Sequence, residues 1–225
     1  MREFKKVFPK TIPLLISYLL MGMGFGVLIR SVGRSTLVSV LMSGGICAGA
    51  MQFAMVSLFA QPLAVIELII LALSINLRYL FYTISLLNPL EGEPRWKKIL
   101  ITHFCSDETF SLYISTGEDG GMATPDDMFA MGLLNFSYWV LGTLLGALLG
   151  SVIPINVEGI EFMMTALFIT TFIEQWKGTD HHFPAILGMG ASLIAVLVFG
   201  SDNFILPAMI VILIGNLYYR RKYVN

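Results

Sequence analysis

Charge is what this chain has least of. Of its 225 residues only 13% are charged, and 14 basic side chains against 15 acidic ones leave a net charge of −1. A soluble domain carries about 25% charged residues, so half the usual supply is missing and a conventional soluble surface is excluded. The near-neutral balance, without a basic patch, excludes a nucleic-acid partner. Cysteine is scarce too: Cys47 and Cys105 are the only two, both inside apolar runs. That excludes a disulfide framework and makes both expected buried thiols. No GxxxxGK[ST] motif occurs, so the chain is not expected to hydrolyse a nucleotide. No nucleophile–base constellation stands out, and an enzyme is not expected. His103 and Cys105, two apart on a helix, point about 200° away from each other, a poor geometry for a shared ion, so neither metal nor cofactor is expected. His181-His182 lies in a polar linker and reads as a solvated pair.

Apolar residues are abundant. They make up 56% of the chain, and mean hydropathy is +0.78. Runs of about 20 apolar residues recur, the length that crosses a hydrocarbon core of roughly 30 Å. The expected fold is an all-α, polytopic helical membrane protein, one transporter domain over 1–225. The basic start, Lys5, Lys6 and Lys10, precedes an apolar run too long for a signal peptide and without an A-x-A-like cleavage site, so it reads as a retained first span. Expected segments cover 11–32, 36–60, 63–87, 99–116, 128–152, 159–176, 183–200 and 203–219.

The second segment is unusual. Gly44, Gly45 and Gly49 fall within six residues, followed by Gln52 and Phe53. Each glycine lowers helix stability by about 1 kcal/mol relative to alanine, so a continuous helix is disfavoured. At membrane depth, freed backbone groups must meet protein or a water-filled cavity. A broken apolar segment is the best sequence pointer to a transporter's substrate site. Gln52 either ties helices together or orients a polar head group.

Sliding the chain on itself by about 120 residues aligns the first and fifth spans: Ser17 with Ser137, Tyr18 with Tyr138, Gly22 with Gly142 and Gly26 with Gly146. This suggests a duplication with halves at about 11–116 and 127–220. The basic residues Arg95, Lys97 and Lys98 then favour a topology in which segments 36–60 and 159–176 dip in and return. Span one would point outward, span five inward, and the acidic loop at 118–127 would lie outside. The expected architecture is thus an inverted-topology internal repeat with two broken or re-entrant segments.

Ionisable groups inside spans are costly, an arginine at mid-bilayer about 2.5–3.5 kcal/mol on insertion scales. Asn76 and Arg78 lie in the third segment, Asp107 and Glu108 in the fourth. A pair between Arg78 and Asp107 or Glu108 is expected, either as a structural lock or as a coupling element. Glu67, Glu161 and Glu174 rank lower, close to segment ends.

At these residues the chain resembles a known family. Cys47-Ala-Gly49-Ala50-Met51-Gln52-Phe53, Asn76-Leu-Arg78-Tyr79-x-x-Tyr82 with Ser85-Leu86, and Ser106-Asp107-Glu108-x-Phe110 resemble the AzlC family, large subunits of bacterial branched-chain amino-acid exporters. The likeness continues through Tyr138-Trp139-Val140-x-Gly142 into Ala166-Leu167-Phe168. Tyr79 stands where members often have histidine, and Ser106 where they often have threonine. The resemblance implies a bacterial inner-membrane permease, and the distribution of basic residues puts both termini on the cytoplasmic side. The resemblance also implies export of branched-chain or other small apolar amino acids, and a small hydrophobic AzlD-type membrane subunit as partner. The expected substrate-binding residues are Gly44, Gly45, Gly49, Gln52, Phe53 and Asn76. Arg78, Asp107 and Glu108 are the expected coupling group for secondary, proton-linked alternating access. The competing expectation is a membrane scaffold or assembly subunit without its own substrate site.

Overall fold

The computed structural model describes residues 2–60, 65–117, 121–152, 181–200 and 204–223, with isolated positions between 162 and 177. Among these, helix is the only regular structure. The chain divides into two compact units, residues 1–164 and 165–225. The first contains α1 (Arg2–Ser31), α2 (Thr36–Gly45), α3 (Gly49–Ala60), α4 (Val65–Leu86), α5 (Arg95–His103), α6 (Asp107–Ser115) and α7 (Pro125–Val152). The second contains α8 (Phe183–Phe199) and α9 (Ile205–Tyr223). By length and composition, α1 and α7 are long and apolar enough to cross a membrane. At 1.5 Å per residue they rise about 45 and 42 Å. Helix α1 starts well before position 11, so Pro9 and Pro13 both lie inside it. Helix α7 opens with Pro125 in its first turn, where a missing N–H costs nothing, and Thr124 accepts from the Asp127 N–H at 3.3 Å.

The two long helices form the spine of the first unit through their matched glycines. A methyl group on Gly22 would lie 2.6 Å from the Trp139 carbonyl oxygen, and one on Gly142 would lie 2.5 Å from that of Leu19. Leu19 and Trp139 are themselves equivalent under the offset of about 120 residues, so the contact is reciprocal. Gly26 and Gly146 repeat the arrangement one turn on, against Thr143 and Met23. Small residues at four-residue spacing let the backbones touch.

These contacts also fix direction. Numbers rise together along the pair, from Lys6 with Asp127 through Gly22 with Gly142 to Arg30 with Gly150. Helices α1 and α7 therefore run the same way, which corrects the expectation of one pointing outward and the other inward. The reason lies in the fourth segment, expected as one crossing. It is two helices, α5 and α6, separated by Phe104–Ser106.

Helix α5 begins beside the start of α7, where Lys97 bonds Asp126 at 2.6 Å. It reaches Phe136 with the ring of His103. Helix α6 then returns. Asn135 bonds Thr109 at 3.0 Å, Thr116 reaches Met131, and the Thr116 carbonyl accepts from Lys10 at 2.8 Å. At nine residues each, α5 and α6 rise about 14 Å, half a hydrocarbon core. Because the hairpin returns to its starting end, α7 departs in the direction of α1. The start of α7 likewise sits at the amino-terminal end of the unit, with the basic residues of α1, so the loop leading into it is not on the opposite side as expected.

Helices α2 and α3 form a second hairpin from the other end. Ser35 caps α2 by accepting from the Val38 N–H at 3.3 Å. Helix α3 returns to place the ring of Phe59 under Arg34, 4.2 Å from centroid to guanidinium carbon. Helix α4 ends back at the amino-terminal end, where Leu86 and Leu90 pack with Val7, Met128 and Met131 in the buried cluster. In the second unit, Phe183 stacks on Tyr219 at 4.2 Å and Trp176 on His182 at 4.1 Å. Glu161, Glu174 and most of segment 159–176 lie outside the described residues.

Candidate functional site

Two helix breaks meet inside the first unit. One is Ile46–Cys47–Ala48 between α2 and α3, the other Phe104–Cys105–Ser106 between α5 and α6. The His103 Nε2 lies 2.9 Å from the Gly44 carbonyl oxygen, so the tips of the two hairpins are hydrogen-bonded to each other. Each tip carries one of the two cysteines, and both thiols are free.

The first break is served by a neutral network. Gln52 is fully buried. Its amide nitrogen donates to the Ile46 carbonyl, one of the groups that the end of α2 sets free. Its oxygen accepts from the Trp139 indole at 3.0 Å and from the Ser43 hydroxyl at 3.3 Å. Ser43 in turn bonds the Thr143 hydroxyl at 2.7 Å. Gln52 thus replaces the hydrogen bonds lost at the break and pins the hairpin to α7. Phe53 packs on Phe25, centroids 5.7 Å apart.

The glycines differ in role. A methyl on Gly49 would meet the Trp139 ring at 3.0 Å, whereas among the described residues nothing lies within 4 Å of one on Gly44 or Gly45. Gly49 is small for packing; Gly44 and Gly45 border open space. The first N–H groups of α3, freed by the break, carry the positive end of the helix dipole.

The second break is charged. Ser106 is the N-cap of α6, accepting from the Thr109 N–H at 3.2 Å. Asp107 and Glu108 follow in the first turn, where the dipole favours anions. The adjacent carboxylates face different partners. Asp107 pairs with Arg78 of α4 at 2.8 Å and accepts from Tyr82 at 2.6 Å; Arg78 also lies over the ring of Tyr79. Glu108 accepts from the Tyr18 hydroxyl of α1 at 2.7 Å. Tyr18 also bonds Ser106 and sets its ring against the Trp139 edge, 5.8 Å between centroids. Trp139 and Tyr18 therefore join the two breaks.

Asn76 bonds the Ala72 carbonyl of its own helix at 2.9 Å, and among the described residues its buried side-chain oxygen has no partner. The structure thus brings Arg78, Asp107 and Glu108 to one break and Gly44, Gly45, Gly49, Gln52 and Phe53 to the other. Among the described residues no three potential metal ligands gather. Tyr18, Ser43, Tyr82, Trp139, Thr143 and Asn135 escaped the sequence reading as site residues. For the second break a signal was present: Ser106 followed by two acids is an N-cap signature inside an apolar run.

Interrupted helices whose breaks meet amid buried polar side chains are a feature of transporter folds. The comparisons make this specific. The model of the AzlC protein family matches residues 13–153. The chain is 38% identical over 219 residues to the branched-chain amino acid transport protein AzlC of Bacillus subtilis, covering 97% of this chain and 85% of that protein. It is 36% identical over 222 residues to a membrane protein of Helicobacter pylori, covering 99% and 97%. It is 25% identical over 173 residues to the inner membrane protein YgaZ of Escherichia coli, covering 74% and 71%. No solved structure matches. The chain belongs to the AzlC family and is a membrane protein.

Proposed function

We propose that this chain is the permease subunit of an exporter for branched-chain or other small apolar amino acids in the bacterial inner membrane. Its cycle is secondary, proton-linked alternating access. The partner is a small hydrophobic membrane subunit of the AzlD type. The observation that carries this reading is the bond between His103 and Gly44, which joins two half-helix hairpins arriving from opposite ends of the unit. In a bilayer, each hairpin would dip to mid-depth and return. The relation of α1–α3 to α4–α6 would then be the inverted one, since α1 and α4 run in opposite directions and each is followed by a hairpin from the end it reaches. Lys5, Lys6, Lys10, Arg95, Lys97 and Lys98 all belong to the amino-terminal end, which supports a cytoplasmic face there by the positive-inside rule. The carboxyl terminus is assigned to the same face.

The substrate's carboxylate would meet the freed N–H groups at the start of α3, beside the open space at Gly44 and Gly45. Its ammonium would meet the Asn76 oxygen. Its apolar side chain would rest near Phe53. Gln52 would shape this site from behind, because both ends of its amide are engaged within the protein. Coupling would run through protonation at the Asp107–Glu108 pair, with Arg78 as counter-ion.

The competing reading is a scaffold subunit whose polar groups only tie helices together; the internally satisfied Gln52 favours it. The deciding experiment reconstitutes the full-length chain with its partner in liposomes and measures counterflow of radiolabelled leucine. Saturable counterflow, absent from empty liposomes, is expected. Its absence from well-folded protein, or flux that never saturates, overturns the permease reading.

A further inference from the structure

The structure separates two carboxylates that are adjacent in sequence. Asp107 is compensated by the Arg78 guanidinium at 2.8 Å and the Tyr82 hydroxyl at 2.6 Å. Protonating it would leave a partly buried arginine without its anion, and removing one member of a buried pair is strongly unfavourable. Glu108 differs. Among the described residues no lysine, arginine or histidine lies within ion-pair distance of it. Its partner across the interface is the neutral hydroxyl of Tyr18. The charged groups around it are Asp107 on its own turn and, through Asp107, Arg78 from α4. From α5 comes His103, which is engaged with Gly44. From α7 the neutral amide of Asn135 reaches the neighbouring Thr109.

Behind Glu108 runs a chain of hydroxyls. Tyr18 meets Ser106, Ser106 donates to Thr109 at 2.9 Å, and Thr109 accepts from Asn135 at 3.0 Å. Asn135 is fully buried, yet among the described residues its side-chain oxygen has no hydrogen-bond partner. A buried acceptor left unused normally costs about 1–3 kcal/mol, so it calls for an explanation. The chain supplies one. When Glu108 carries a proton it becomes a donor to Tyr18. Tyr18 then donates to Ser106, Ser106 to Thr109, and Thr109 to the Asn135 oxygen once the amide turns over. With Glu108 charged, the Tyr18 proton points at the carboxylate and the Asn135 oxygen is idle; with Glu108 protonated, the chain runs the other way and reaches that oxygen.

We propose that Glu108, and not Asp107, is the carboxylate that takes up and releases the coupling proton, with Tyr18, Ser106, Thr109 and Asn135 as positioning residues. The assignment rests on the permease reading above. Glu108 accepts one proton from water at one face and returns it to water at the other, with no other bond made or broken, while the amino acid moves in the opposite sense.

The test uses the full-length chain with its partner in liposomes, with radiolabelled leucine. Two assays are compared: counterflow without a gradient, and accumulation driven by a pH jump. Glu108→Gln is expected to keep counterflow and lose the response to the pH jump, whereas Asp107→Asn keeps that response in whatever protein folds. Tyr18→Phe is expected to move the pH profile of transport, and Tyr82→Phe to leave it in place. Retained pH-driven accumulation in Glu108→Gln overturns the assignment. So does a pH profile that Tyr82→Phe moves and Tyr18→Phe does not. Absence of counterflow in the wild-type protein is a different failure, because it removes the permease reading and this assignment with it.

Discussion

The two broken segments solve the same physical problem with opposite chemistry. Each ends one helix and starts another inside the first unit, and each must satisfy the backbone groups that the break releases. Between α2 and α3 the break is made by glycine and repaired by a neutral amide, Gln52 on the Ile46 carbonyl. Between α5 and α6 no glycine is involved. Ser106 caps the new helix, and Asp107 and Glu108 occupy its first turn. One hairpin thus offers the first N–H groups of α3 beside open space at Gly44 and Gly45, the other a capped terminus bearing two carboxylates. The two face each other across the His103–Gly44 bond.

The comparison breaks most severely at its charged side. Arg78→Ala is expected to leave Asp107 partly buried without its cation, a loss of about 3–5 kcal/mol. It should appear as a collapse of folded yield in detergent, partly restored in Arg78→Ala/Asp107→Ala. On the neutral side, Gln52→Leu strands the Ile46 carbonyl and the Trp139 indole N–H. About 1–3 kcal/mol for each unsatisfied group should lower the thermal midpoint more than Gln52→Glu does. Ser106→Ala removes one cap at about 1 kcal/mol, a smaller drop that Ser106→Asp reverses. The smallest stability effect separates two neighbouring glycines. Gly44→Ala meets nothing within 4 Å, while Gly49→Ala meets Trp139 at 3.0 Å. The Gly44 variant should therefore fold normally and show its effect in the KM for leucine, and the Gly49 variant should show its effect in the thermal midpoint.

The first break could be read from glycine content alone, because glycine's penalty in a helix is local and needs no knowledge of neighbours. The Arg78–Asp107 pair could be anticipated from the cost of a lone charge at membrane depth, which forces a partner from a short set. The second break was harder to see. Ile99 to Thr116 has the length of one span, and its capping signal is three residues in a run that hydropathy reads as continuous. Missing it carried a consequence further along the chain, since one hairpin mistaken for a crossing reverses the expected direction of α7. The glycines matched across 120 residues between α1 and α7 form a parallel seam in place of an inverted pair.

Sequence by itself determined the membrane class, the family, the glycine break and the residues that carry charge, because these follow from composition and from properties of single segments. Tertiary structure alone decided the direction of α7, the meeting of the two tips, and the different partners of Asp107 and Glu108. Adjacent residues on a helix point about 100° apart, so which one meets an arginine and which a tyrosine depends on what α1 and α4 place on either side. That is a fact about packing, and no local pattern encodes it.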